Sequence, residues 1–422
     1  MTRTEPSASR PRLLPWFGCA LLAWIAWRIL ALGLADHLSN TNPAEALYWR
    51  SDHAPALLGA SLASRDPASA QELARRALHA NPLQGVAYRA LAASIADPTT
   101  QRALHEVAAR RAPRDVPALA WMADHALARG EPAEALASID QMLRVEPRSL
   151  DTLRPALEFL ASQPDARGAL VAALRDDPPW RTAALVTLAR DAADSTAVTA
   201  VFSRLQQEHA LAMRELDAWV GRLIREREWI PAYHAWIGSF AHDRRVVIGN
   251  VYNGDFESAP TGSGFDWRLT EVDGARVRRA AIEGAGGTAA LRVDFDHRRV
   301  PFAHVEQLLV LPPGRYRLSG RARLDHLRTS QGMAWTLACA EGGGDFARTP
   351  AFAGHRDWAS FRTEFEVPAH DCGAQWLRLR HLAGTLAEQH IGGSIWFDDL
   401  AIRLQAESVP ERVESSVRSG VR

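Results

Sequence analysis

Leu119–Pro147 reads LAWMADHALARGEPAEALASIDQMLRVEP. Two runs with apolar residues at helical spacing flank a turn at Arg129-Gly130-Glu131, and a proline closes the segment. The stretch therefore predicts two amphipathic helices joined as a hairpin. Small residues sit where the helices would touch. Two helices cross closely only over small side chains, and proline stops the second because it cannot continue the hydrogen-bond ladder. The same ending recurs at Pro82, Pro113 and Pro178, at spacings of 31, 34 and 31 residues.

The offsets recur with the prolines. Five residues before each stand Ala77, Ala108, Met142 and Ala173. Eight before stand Ala74, His105, Ile139 and Leu170, and twelve before stand Ala70, Gln101, Ala135 and Ala166. This pattern resembles the tetratricopeptide repeat family. Gly130 matches the turn glycine, Ala135 and Met142 the two small positions (Met142 departs from alanine), and Pro147 the closing proline. The resemblance covers roughly 50–180 and implies an α-solenoid whose concave face binds peptides or partner proteins. A plain spacer is the other reading. Beyond Pro178-Pro179 the register blurs. Thr182–Arg190 with Thr196–Ala212, and Arg214–Arg227 with Trp229–Phe240, still read as helix pairs. Trp219, Trp229 and Trp236 in the last pairs read as a cap packed on the next domain, with an aromatic ligand cradle as the alternative.

Upstream, Leu13–Leu34 (LLPWFGCALLAWIAWRILALGL) is apolar apart from Arg28. At about 1.5 Å per residue it reaches roughly 33 Å, enough to span a bilayer. Arg3, Arg10 and Arg12 precede it and Asp36 follows, which places the N-terminus, residues 1–12, in the cytoplasm and the bulk of the chain outside a bacterial inner membrane. Arg28 lies near enough to the outer end to snorkel. It also leaves open a cleaved signal peptide with Leu13–Trp27 as its apolar core. Both readings export the rest.

The chain has 422 residues and no net charge at pH 7, so no global field favours nucleic acid. Every basic residue apart from histidine is arginine. The absence of lysine excludes a P-loop and a Schiff base. No CxxC is present, which excludes a zinc ribbon. Cys339 and Cys372 would pair as a disulfide in an exported domain; two buried free thiols are the alternative.

The helical region is assigned to 40–245. At Val246 alternation replaces helical spacing and turn signals appear every eight to twelve residues. Candidate strands are 289–295, 304–309, 314–324, 334–340, 358–367, 375–381 and 394–403. Many short strands predict an antiparallel β-sandwich over 246–405, with a polar tail at 406–422. The fold class is thus multidomain α plus β, an α-solenoid followed by a jelly roll.

Four pieces in order carry a second resemblance. They are Asn253-Gly254-Asp255-Phe256-Glu257 with Trp267, the run Leu311–Leu318 (LPPGRYRL), Trp358 with Phe361, Phe365 and Val367, and Trp396-Phe397-Asp398-Asp399-Leu400. Together they are similar to carbohydrate-binding modules of galactose-binding-like fold. The resemblance implies a glycan ligand and a structural calcium held by Glu257 with Asp398 or Asp399. Turn-capping carboxylates are the alternative. Sugar binding needs aromatic platforms and polar partners. Trp335, Trp358, Trp376 and Trp267 are candidate platforms, with Arg378, Arg380, Gln375 and Glu306 as partners. Alternation sets Trp376, Arg378 and Arg380 on one face and Leu377 and Leu379 on the other, so the first three should face outward. Arginines there suit an acidic polysaccharide. A tryptophan covered by arginine stems on a solvated face is the competing reading.

Catalysis finds little support. Asp294 with Asp296, Glu364 with Glu366, and Asp398 with Asp399 have spacings common on solvated strands. GxSxG and HExxH are absent, and His297, His304, His381 and His390 form no ligand-spaced pair. The Gly284–Gly287 run (GAGG) reads as a turn. The expectation is a non-enzymatic, membrane-anchored periplasmic scaffold whose repeats recruit partners of an envelope polysaccharide machinery and whose sandwich binds polysaccharide. A pure protein–protein scaffold and a glycan-processing enzyme are the alternatives.

Overall fold

The computed structural model describes residues 14–209, 211–240, 249–281 and 287–405. The N-terminal arginines, most of the GAGG turn and the tail at 406–422 lie outside them. Contacts divide the chain into two units, residues 1–184 with 196–198, and residues 185–195 with 199–422.

The first unit is helical. Helix α1 (Leu14–Leu38) leads into α2 (Pro43–Trp49) and then into antiparallel pairs: α3 (Ala54–Ala63) with α4 (Pro67–Ala80), α5 (Gly85–Ala92) with α6 (Pro98–Arg111), α7 (Val116–Ala128) with α8 (Pro132–Val145), and α9 (Leu150–Ser162) with α10 (Pro164–Arg175). Pro82, Pro113, Pro147 and Pro178 each lie just past the second helix of a pair. Ala74, His105, Ile139 and Leu170 are buried, as are Ala77, Ala108 and Met142, while Ala173 is half-buried. Their burial puts these positions on the inner faces of the second helices.

The hairpin turn between α7 and α8 has a specific cause. Gly130 sits at φ 71°, the Gly130 N–H donates to Leu127 O at 3.1 Å, and the Glu131 N–H donates to Ala126 O at 2.9 Å. This is a Schellman ending, which needs a left-handed residue just after the helix. A second punctuation mark, absent from the sequence reading, is proline at the start of each second helix: Pro67, Pro98, Pro132 and Pro164. Its missing N–H is one the first turn cannot use in any case. Asp66 and Asp97 cap two of these helices by accepting the Ser69 N–H at 2.9 Å and the Thr100 N–H at 2.8 Å.

Helices α11 (Arg181–Asp191) and α12 (Ser195–Gln207) straddle the unit boundary, and α13 (Met213–Arg225) and α14 (Trp229–Gly238) follow in the second unit. Phe202 stacks on Trp219 at 5.5 Å. Helix α14 docks on the sandwich. Trp236 meets Tyr252 at 5.0 Å and Phe265 at 5.7 Å, and the Trp229 Nε1–H donates to Glu341 Oε1 at 2.7 Å. Gly264 admits the Trp236 ring, since a Cβ there would lie 2.3 Å from Cδ1.

The sandwich has two five-stranded antiparallel sheets. One has the order β1 (Arg268–Leu269), β4 (Val305–Leu309), β9 (Gln375–His381), β6 (Met333–Cys339), β7 (Asp345–Arg348). The other has the order β2 (Ala275–Ala281), β3 (Ala289–Arg299), β10 (His390–Leu404), β5 (Gly314–Arg328), β8 (Gly354–Val367). Strands β1, β2 and β7 are additional to those read from sequence. Their alternating inner residues, with Trp267, Trp335, Phe256, Phe302 and Phe397 fully buried, form one core. Two buried amides replace missing ladder bonds. Gln307 exchanges bonds with Tyr252 N–H and O, and Gln375 accepts from Leu311 N–H while donating to Leu311 O and Cys372 O. Cys339 and Cys372 are joined as a disulfide across 33 residues.

Candidate functional site

On the β1-β4-β9-β6-β7 sheet, Trp376 and Arg378 share the outer face with Arg268 and Glu306. The Arg268 and Arg378 guanidiniums lie over the Trp376 ring, 4.8 and 4.9 Å from its centroid. Arg378 Nε donates to Glu306 Oε2 at 2.8 Å, and Arg268 stands 3.9 Å from the other Glu306 oxygen. Burial lowers the Arg268 pKa, against the pull of Glu306. Arg380 pairs with Asp345 at 2.6 Å. Alternation thus places these side chains as expected, but their charges are met internally and the ring is covered by arginine.

Three of the expected site residues, Trp335, Trp267 and Gln375, are fully buried. Trp335 is 0% exposed and packs against Trp267 and Phe397 in the core, because β6 is covered on both faces and its residues are buried throughout except at Cys339. Trp267 is likewise buried, with its Nε1–H on Asn253 O. Gln375 is the buried amide described above. Trp358 is half-buried on β8 beneath Arg321, 5.4 Å from its centroid.

Of the residues expected to hold calcium, Glu257 and Asp399 line one open pocket together with Asp255. Both Glu257 carboxylate oxygens are engaged, accepting the Thr288 N–H at 2.7 Å, the Ala289 N–H at 3.0 Å and the Thr288 hydroxyl at 2.6 Å. The Thr288 hydroxyl, followed by the two N–H donors, holds the Glu257 pKa down. Asp398 is buried, with Oδ1 accepting the Asp399 N–H at 2.8 Å, and Asp399 reaches toward Arg321 at 4.0 Å. These carboxylates serve as turn and backbone acceptors, and a calcium ion would have to displace those donors.

The outer face of the β2-β3-β10-β5-β8 sheet carries more charge than the sequence reading assigned to it. One row across four strands holds Arg278, Arg292, Trp396 and Arg323 in direct register. Arg292 and Arg323 lie over Trp396 at 4.8 and 5.2 Å. The next row holds Arg276, Asp294, Ser394 and Asp325. Asp294 accepts from Ser394 at 2.6 Å, Arg292 at 2.7 Å and Arg278 at 3.1 Å. Burial alone would raise the Asp294 pKa; these three donors outweigh it, and the net shift is downward. A carboxylate held ionised in this way is a poor general acid.

At the other end of the face, Arg317 is directly opposite Arg403 on β10 and Glu364 on β8. Like charges placed opposite each other on a sheet destabilise it unless a counter-charge lies near. Arg317 pairs with Glu364 at 2.9 Å. Arg362 and Arg403 form no ion pair among the described residues. These three arginines, with Ser319, Ser360, Phe361, Leu404 and Gln405, line an open basin of about 810 Å³. The i,i+2 arginines at 276 and 278, and at 321 and 323, were the available sequence signal for this face.

No protein-family model matches the chain, and no curated protein matches it. Solved structures with similar folds include the one described as "CBM4 structure and function" (15% identity, 37% of this chain, 99% of that chain, TM-score 0.29). A second is TmCBM61 in complex with β-1,4-galactotriose (15% identity, 37% of this chain, 99% of that chain, TM-score 0.27). A third is the CBM22-1 xylan-binding domain from Paenibacillus barcinonensis Xyn10C (17% identity, 36% of this chain, 91% of that chain, TM-score 0.24).

Proposed function

We propose that this chain is a membrane-anchored, non-enzymatic binding protein of the bacterial envelope, acting in the synthesis or export of a cell-surface polysaccharide. Its sandwich holds an acidic polysaccharide, and its tetratricopeptide-like helical pairs recruit protein partners. The observation that carries the reading is the opposed pair Arg317 and Arg403 beside Arg362 in one open, hydroxyl-lined basin. Guanidinium groups bind carboxylate, sulfate and phosphate through paired N–H donors, so a uronate-, sulfate- or phosphate-bearing glycan supplies counter-charge to Arg403 and Arg362 beyond the single Glu364 carboxylate already paired with Arg317. The sandwich leaves no large aromatic ring widely exposed among the described residues, which argues against stacking of neutral sugars as the main source of affinity.

The test is titration of the full chain in detergent with a polyuronate, a sulfated glycan and a neutral glucan. Binding of an acidic polymer should weaken with salt, fall at least tenfold in Arg362→Ala/Arg403→Ala, and persist in Trp376→Ala. Loss in Trp376→Ala alone moves the site to the opposite sheet, around Arg268, Glu306 and Arg378. Failure of every acidic polymer to bind removes the reading.

A further inference from the structure

Among the described residues, one cluster brings together three metal-ligating side chains: Asp325, His326 and His355. Their placement needs explaining, because Asp325 and His326 are consecutive on β5. Neighbours along a regular strand point to opposite faces and cannot share an ion. Here the strand is bulged. His326 adopts φ 50°, and the pairing of β5 shifts register with both β10 and β8 at this level. A bulge re-aims a side chain. As a result His326 Nδ1 lies 2.7 Å from Asp325 Oδ1, while His355 on β8 brings its own Nδ1 to 3.5 Å from the same oxygen.

The bulge belongs to a line across the sheet. His297 on β3 (φ 55°), Gly393 on β10 (φ 96°), His326 on β5 and Gly354 on β8 (φ 91°) all have left-handed backbone. Gly393 is required by contact as well as by φ, since a Cβ there would lie 2.2 Å from the His326 carbonyl oxygen. Four adjacent strands thus bend together, and the two imidazoles and one carboxylate meet at this bend.

We infer that Asp325, His326 and His355 form a binding site for a borderline divalent transition metal of the zinc class. Two imidazoles with one carboxylate suit zinc, cobalt, nickel or copper, whereas calcium and magnesium prefer all-oxygen shells. Ligand atoms about 2.0–2.1 Å from a tetrahedral zinc ion lie about 3.3 Å apart. The observed 2.7 and 3.5 Å separations from Asp325 bracket that value, and all three ligand atoms lie within 4.8 Å of one another. The three side chains are 47–68% exposed, so solvent completes the coordination and the ion exchanges freely. This site is independent of the arginine basin.

The experiment uses the metal-free full chain in detergent, titrated with Zn²⁺ by calorimetry and with Co²⁺ by visible absorption. One equivalent should bind, with the cobalt d–d bands of a nitrogen- and oxygen-ligated ion. His326→Asn keeps a residue that tolerates left-handed backbone, and His355→Gln keeps a polar side chain. Each should weaken binding at least tenfold, as should Asp325→Asn, which leaves both imidazoles in place. Unchanged near-ultraviolet circular dichroism of the metal-free variants separates ligand loss from misfolding, and acidic-polysaccharide binding should be unaffected. No saturable binding below millimolar Zn²⁺, or binding equally strong in all three variants, overturns the assignment.

Discussion

At the residue scale, the tryptophans of the sandwich divide by how they are covered. Trp335 is enclosed on all sides by the core, whereas Trp376 rests on the outer face beneath arginine. Trp335→Ala should therefore cost about 3–5 kcal/mol in denaturant melts, the range for large aromatic-to-alanine changes in cores, while Trp376→Ala should cost well under half as much. Equal losses would mean that the outer ring is packed as fully as the inner one. Sequence alternation could separate Trp376 from Leu377 and Leu379 because β9 has one wet face. It could not separate Trp335 from its neighbours, because β6 is buried on both faces and carries no alternation to read. In the helical unit, His105 is buried and stacks 4.0 Å from Trp121, which in turn stacks on His125. Burial, with the nearby Arg89 charge, lowers the His105 pKa to about 4. Because the folded value lies below the unfolded one, the unfolded chain takes up the proton first. Stability is then complete above pH 6.5 and declines as pH falls from there toward 4, by on the order of 2–3 kcal/mol. His105→Gln should flatten that segment of the stability–pH curve, and an unchanged slope would assign it to other groups.

At the element scale, the disulfide and the left-handed line do different work in the two sheets. Cys339–Cys372 closes a loop of 33 residues between β6 and the approach to β9. In the chain-entropy account such a loop stabilises by about 3–4 kcal/mol. Cys339→Ser/Cys372→Ser should lower sandwich stability by that order, and addition of reductant to the parent protein should reproduce the loss. Agreement between the two would exclude damage from the serine hydroxyls as the cause. Strand β2 escaped the sequence reading because ARVRRAA alternates arginine with small residues and offers little apolar signal; it holds its place as an edge strand on β3 through in-register pairing. Strand β7 is short, preceded by Gly342-Gly343-Gly344 and followed by Thr349-Pro350, so its pairing with β6 is a tertiary fact. The bulges were invisible for the same reason. A left-handed histidine has no local signature, and the glycine that permits it lies on a neighbouring strand.

At the scale of the whole molecule, the change from helical spacing to alternation was legible because it is a property of hydrophobic period. The assignment of the late helices was legible only in part. Helices α13 and α14 belong with the sandwich by contact, through Trp229, Trp236 and the Ser263 hydroxyl on Asp217, in line with the expected tryptophan cap, whereas α11 and α12 straddle the unit boundary, a division that no local pattern encodes. The apolar N-terminal helix poses the same kind of question. Gly18–Leu38 is long and apolar enough to cross a membrane, with mean hydropathy 1.8. Its final turns, however, are part of the helical unit. Ala31 and Ala35 are buried, Trp27 meets Trp49 at 5.9 Å, and Asp36 Oδ1 lies 2.9 Å from Nε2 of the buried His53. Arg28 adds a pull that lowers the Asp52 pKa, after the hydrogen bond and charge of Arg50. Signal-peptide cleavage after Trp27 or nearby would sever this continuous helix and strip partners from α2 and α3. An uncleaved anchor keeps them, with the exposed Leu21, Leu22, Trp24 and Ile25 left for lipid. Protein extracted from membranes should therefore have a mass that includes α1 and should resist release by high salt or carbonate. A mature species beginning beyond Trp27 and recovered in the soluble fraction would show that the helical unit stands without α1, and would remove the anchor from the proposed function.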